Sequence, residues 1–302
     1  MISVLLTAGF AYAQACICSR NVALPGGSVS RPWELGIGLD YGASISGDDA
    51  AWRGLSVTDR YGDSMAGMYM PPHVIQTAAI SANVGLPEGF SAGTTLPYMS
   101  VLHVAPSEMP GDVDNHSFAD MNVVGRWGKL TENRKTFFMA TAGVTLPTGT
   151  VVADTPVRAG KGAVGGLVGV QTSHKISPYT ALAAAINATP TLFTPADRYR
   201  VGSGGSLALG TRWSPRENGR VNISLFGVLQ VQDTDQKDAL VYKNTGYTSA
   251  DLAVGFSWNI WAKELRSLTL TARAQAPVWQ IVGDPMYAEN FTGGLGAYVV
   301  AF

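Results

Sequence analysis

Two cysteines, four histidines and a few well-spaced acids are what this 302-residue chain offers for covalent or metal chemistry. A serine nucleophile needs an imidazole within hydrogen-bond reach to take its proton. The histidines are His73, His103, His116 and His174, and none begins a His-x-Ser spacing. His116 adjoins Ser117, but neighbours in an extended chain point to opposite faces. Proton transfer within that pair is therefore badly disposed, and a hydrolase acting on lipids would have to depend on Ser117 in that unfavourable geometry.

Cys16-Ile17-Cys18 places two thiols in alternation, which can present both sulfurs to one soft ion. A zinc site wants four ligands, and no histidine or further cysteine lies nearby in sequence. A strained bridge, or none, stays equally open. Gly160-Lys161-Gly162-Ala163-Val164-Gly165 has the spacing of a dinucleotide fingerprint, which works only between a strand and a helix. Here a Gly-rich, strand-like run follows it, so no nucleotide is expected. The acidic pairs Asp48-Asp49 and Asp112, Asp114 could hold a divalent cation or be solvated loop charge. No cofactor is expected.

Net charge removes another class. With 21 basic against 22 acidic residues and a formal charge of −1, the chain lacks the footprint that nucleic acid requires. A membrane-crossing helix would need about 20 apolar residues in a row. The charge-free stretches near 136–153 and 176–196 are cut by Pro147, Pro178, Pro190 and Pro195. Mean hydropathy is only +0.11.

What remains is a period of two. Trp33, Leu35, Ile37, Leu39 and Tyr41 alternate with Glu34, Gly36, Gly38, Asp40 and Gly42, as in a strand whose faces meet different solvents. Val221, Ile223, Leu225, Leu229 and Val231 alternate in the same way with Arg220, Asn222, Ser224, Gln230 and Gln232. Leu252 to Ile260 alternates with Asp251 to Asn259. Further strands are expected near 74–84, 89–104, 118–128, 135–147, 163–175, 178–189, 199–213, 267–279 and 291–302, an even count of about a dozen.

The links alternate between short turns, such as Leu86-Pro87-Glu88 and Ile176-Ser177, and long segments near 45–73, 105–117, 148–162, 190–198, 233–247 and 280–290. That alternation is the plan of a transmembrane antiparallel β-barrel with short periplasmic turns and long extracellular loops, an all-β single barrel in the outer membrane of a Gram-negative bacterium. Trp33, Phe90, Trp127, Trp213, Trp258 and Phe302 fall near the short-turn side, as an aromatic girdle would.

Charges on inward faces should line the lumen, because charge facing lipid costs about 2–4 kcal/mol at the midplane. The candidates are Asp40, Asp120, Arg126, Arg200, Arg212, Arg220, Asp251 and Arg273. They could set ion preference, or pair with one another and fill the barrel.

Residues 1–15 form an apolar stretch ending in Ala13-Gln14-Ala15, the small-x-small pattern of a cleaved signal peptide. This makes 16–32 a periplasmic tail and 33–302 the barrel. Cys16 would then be the first mature residue, though Ala13 stands where a lipobox carries Leu.

The residues also resemble a family, the porin-like outer-membrane transporters named for the meta-pathway of phenol degradation. The likeness rests on Phe118 to Trp127, with Asp120 early and Arg126 six later, on Ala142 to Gly149 with its Leu-Pro-Thr-Gly end, and on the Gly-rich run from Gly160 to Gly169. The final alternating strand, ending in Phe302, resembles the signal read by the barrel-assembly machinery. The resemblance implies one barrel that moves small solutes, hydrophobic ones included. The expected partners are outer-membrane lipid, that machinery and a small-molecule solute. The expected role is a passive, non-enzymatic channel. The alternative is a closed barrel serving as a structural or partner-binding protein.

Overall fold

Strands whose two faces want different surroundings are satisfied when the sheet closes on itself, which leaves no unpaired edge. The computed structural model of this chain describes residues 31–46, 57–58, 73–103, 115–149, 163–193, 202–215, 220–233, 235–237, 240–242, 246–263, 266–282 and 289–301. Twelve long strands form a closed antiparallel barrel. They are β1 (Leu35–Ser46), β2 (His73–Gly85), β3 (Phe90–His103), β4 (Met121–Leu130), β5 (Thr136–Leu146), β6 (Val164–Lys175), β7 (Thr180–Thr189), β8 (Gly204–Trp213), β9 (Val221–Gln232), β10 (Tyr247–Lys263), β11 (Arg266–Val282) and β12 (Glu289–Ala301). Each pairs with its neighbours in sequence, and β12 pairs back onto β1 from Ala301 opposite Leu35 to Glu289 opposite Ser46.

The expected strands are all present, with some ends moved. The first begins at Leu35, not Trp33, because Trp33 turns with a φ of 67° and its N–H bonds the Gly85 carbonyl. The fourth begins at Met121, after a break at Ala119 and Asp120. His116 and Ser117 lie in a short strand, Asn115–Phe118, that pairs with β3, not in a loop; His116 is exposed and Ser117 half-buried.

Outward residues are apolar and exposed, as Leu39, Ile80, Ile186, Leu225 and Leu295 illustrate. Inward residues are small or polar and largely buried, including Ser44, Ser81, Thr95, Asn122, Asn259 and Thr292. No helix among the described residues is long and apolar enough to cross a membrane, and the strands supply the apolar belt instead.

At the short-turn end the chain reverses tightly. Pro87–Gly89 makes one 3-10 turn, with Glu88 and Gly89 at positive φ of 60° and 81°. A side chain at Gly89 would also run into the Gly128 carbonyl. Ser177 Oγ accepts the N–H groups of Tyr179 and Thr180 at 3.1 and 2.9 Å, closing the β6–β7 turn. At the opposite end, Val57–Thr58 from the first long connection adds in parallel to Gln280–Ile281 of β11.

The aromatic girdle is on the outside where the short turns lie. Phe90 and Trp127 face each other across the β3–β4 ladder, and both are exposed, as are Trp33, Trp213 and Trp258. Phe302 lies outside the described residues. A second belt rings the other end: Tyr98, Phe118, Phe193, Trp279 and Phe291 are exposed there, with Tyr98 and Phe118 edge to face at 5.4 Å.

Candidate functional site: the barrel lumen

Pairing fixes which side chains share a row around the inner wall, and a tilted sheet makes each row climb. One row is polar for almost its whole course. Ser91, at the short-turn end of β3, pairs with Arg126, and Arg126 with Thr141. The row continues through Gly169 and Asn187 to Ser206 and Gln230. It ends with Ser249 opposite Gln280 near the long-connection end of β11. This spiral of hydroxyls, amides and one guanidinium spans the height of the barrel wall.

Along the row the polar groups hold one another. Arg126 Nη1 donates to Asn83 Oδ1 at 3.1 Å, reaching across Gly93, where a side chain would crowd both groups. Asn187 Nδ2 donates to Ser206 Oγ at 3.4 Å. Arg126 thus lies along the wall and not across the lumen.

Arg273 behaves similarly. It sits beside Gly42 and Gly294, and a Cβ at Gly294 would come within 2.9 Å of its Nε. Arg212 shares its row through Ser224 and Gly255. Asp40 is buried against Gly296 and Thr271. An apolar patch interrupts the polar wall where Ala183, Ala208, Phe226, Val228 and Ala253 cluster on β7 to β10.

Asp120 has a different setting from the one expected of a lumen charge on a strand. It lies before β4, fully buried, and its Oδ1 accepts the Gly149 N–H at 2.9 Å. Met121 N–H donates to Thr148 Oγ1 at 2.9 Å, and Thr145 Oγ1 donates to Asn122 Oδ1 at 2.6 Å. Two of the three stretches that carry the family resemblance are therefore clasped together where β4 starts and β5 ends. Asp120, before the strand, and Arg126, midway along it, are six residues apart, about 20 Å by strand rise.

Arg220 precedes β9 at the short-turn end and is exposed there; its carbonyl accepts the N–H of the inward Asn259. Arg200, Cys16, Cys18, Asp48, Asp49, Asp112 and Asp114 lie outside the described residues. Among the described residues no group of three or more His, Cys, Asp or Glu is placed to hold a metal. Val164 opens a strand and not a helix, so the glycine spacing before it lacks the context that a nucleotide site needs.

The Asp120 clasp carries a measurable weight. Hydrogen bonds to charged groups contribute about 1.5–3 kcal/mol. Asp120→Ala is expected to lower urea stability by about that amount, while Asp120→Asn, which keeps an acceptor for Gly149, loses less. Equal stability of all three proteins would show that the clasp does not hold β4 to β5.

No protein-family model matches the chain, and no curated protein matches it in sequence. Solved structures match its fold. An outer membrane channel from Pseudomonas putida F1 superposes with a TM-score of 0.71 at 13% identity, over 92% of this chain and 99% of that one. The β domain of the Bordetella autotransporter BrkA gives 0.45 at 11% identity, covering 89% and 100%. The P. putida toluene transporter TodX gives 0.42 at 12% identity, covering 91% and 93%.

Proposed function

We propose that this chain is an outer-membrane channel of a Gram-negative bacterium, through which small solutes diffuse passively. The observation that carries this reading is the polar row from Ser91 to Gln280. It runs hydrogen-bonding groups, several of them buried against one another, over the full height of a wall whose outer face is apolar. A barrel built only as a lipid-embedded scaffold could fill its interior with apolar packing, at no cost in buried polar groups.

In this reading the short turns face the periplasm and the long connections face outward, as in bacterial barrels. A signal peptide ending at Ala15 delivers the chain, and the strand ending in Phe302 is read by the assembly machinery. The likeness in fold to a P. putida outer membrane channel agrees with the channel role. The Asp120 clasp gives a structural reason for the motifs shared with the meta-pathway transporters, and so supports membership of that porin-like family. Solutes in the proposed class are small, hydrophobic ones included, as the resemblance to that family implies. The reading assigns no catalytic role.

The test is single-channel recording in planar bilayers with the refolded mature chain, wild type beside Arg126→Ala. Discrete current steps are expected, and removing the guanidinium from the row should shift the reversal potential toward cations in a KCl gradient. A heat-modifiable, folded barrel that stays silent would instead support the closed, partner-binding alternative.

A further inference from the structure

Asp251 is a lumen acid whose hydrogen bonds are unevenly shared between its two oxygens. It is 3% exposed, on the inner face of β10. Oδ2 accepts from Gln230 Nε2, from Gln275 Nε2 at 2.7 Å and, at 3.4 Å, from Ser249 Oγ. Oδ1 is buried and has no partner. Gln230, 1% exposed, has spent its amide donor on Oδ2, and its Oε1 is also buried without a partner. The three donors are neutral, two amides and a hydroxyl. Arg273 is two residues from Gln275 along β11, opposite Gly255, about 13 Å of strand rise from Asp251.

The backbone is irregular at the same place. Asp251 pairs with Pro277, whereas Ala250 pairs with Trp279, so Val278 is an extra residue in β11. Pro277 and Gln280 face inward, and Val278 and Trp279 both face out. Proline brings no N–H to the ladder, and bulges re-aim side chains beside functional sites.

Two buried acceptor oxygens, one of them on a carboxylate, have no hydrogen-bond donor, and a bound cation would offset the cost of burying them. We propose that Asp251 Oδ1 and Gln230 Oε1 hold a monovalent inorganic cation, of the sodium or potassium class, in the barrel wall. One carboxylate matches one positive charge, and carboxylate and amide oxygens are the ligands such hard ions take. A divalent ion would call for more acids, and among the described residues no acid cluster stands here. The site is independent of whether the lumen conducts.

A cation that binds only the folded barrel raises its stability in a saturable way. The unfolding midpoint of the refolded chain in detergent, followed by heat-modifiable mobility, is therefore compared in KCl and in choline chloride at equal ionic strength. Wild type should show a higher, saturating midpoint in KCl, and Asp251→Asn, nearly isosteric, should show the same midpoint in both salts. Crystals of the wild-type protein grown in rubidium chloride should give an anomalous peak in contact with Asp251 and Gln230, which requires no variant to fold. Equal wild-type midpoints in the two salts together with no rubidium peak would overturn the proposal, leaving a proton or a water at Oδ1.

Discussion

Gly210→Ala should yield a chain that does not refold into a heat-modifiable barrel. Gly210 is on the inner face of β8, and a Cβ there would stand 2.1 Å from the Leu225 carbonyl oxygen and 2.5 Å from Phe226 Cδ1. The first of these is backbone of the adjoining strand, so relief requires β8 and β9 to part. Phe226 cannot simply swing away, because it is fully buried in the apolar patch with Ala208 and Ala253. Overpacking a well-filled interior costs about 1–3 kcal/mol, and more where backbone must move. Gly227→Ala is the control: it faces outward, and its new methyl would first meet the Leu209 carbonyl at 4.0 Å. It should refold like wild type, by gel mobility and by circular dichroism.

The second large effect concerns the outer face. Leu225 is midway along β9 and 49% exposed. If that face meets hydrocarbon, Leu225→Arg should cost about 2–4 kcal/mol in bilayer unfolding experiments. Gln171→Arg places the same charge on the inner, half-buried face of β6, where no lipid is reached, and should cost far less. A soluble barrel would order the two the other way, since an exposed arginine is harmless and a buried one is not. Comparable losses from both would contradict a lipid-facing exterior.

Much of the architecture was legible in alternation alone. The outward series on β9 and β10 needs no partner to be read, because a period of two assigns faces by itself. Trp33 fits that series yet lies outside β1, since periodicity carries no information about its positive φ. The bulge at Val278 left a trace that can be read afterwards, for the adjacent apolar pair Val278-Trp279 breaks the alternation.

The site was less legible, and the reason is pairing. The Ser91 to Gln280 row draws residues from nine different strands, and only the register brings them together. Asp120 looked like another inward charge, but its partner Gly149 is 29 residues away. Arg220 has the inward parity of β9, opposite Asn259, and stands exposed where that strand starts. Asp251 was recognised as inward, whereas its unshared oxygen depends on amides from two neighbouring strands.

Solute flux into proteoliposomes decides whether the barrel is a passive channel. Refolded wild-type protein should make liposomes swell when an external small sugar replaces an impermeant osmolyte, at a rate that grows with protein density and falls with solute size. Absence of swelling with every solute, from protein shown to be folded in the same vesicles, would contradict a passive channel.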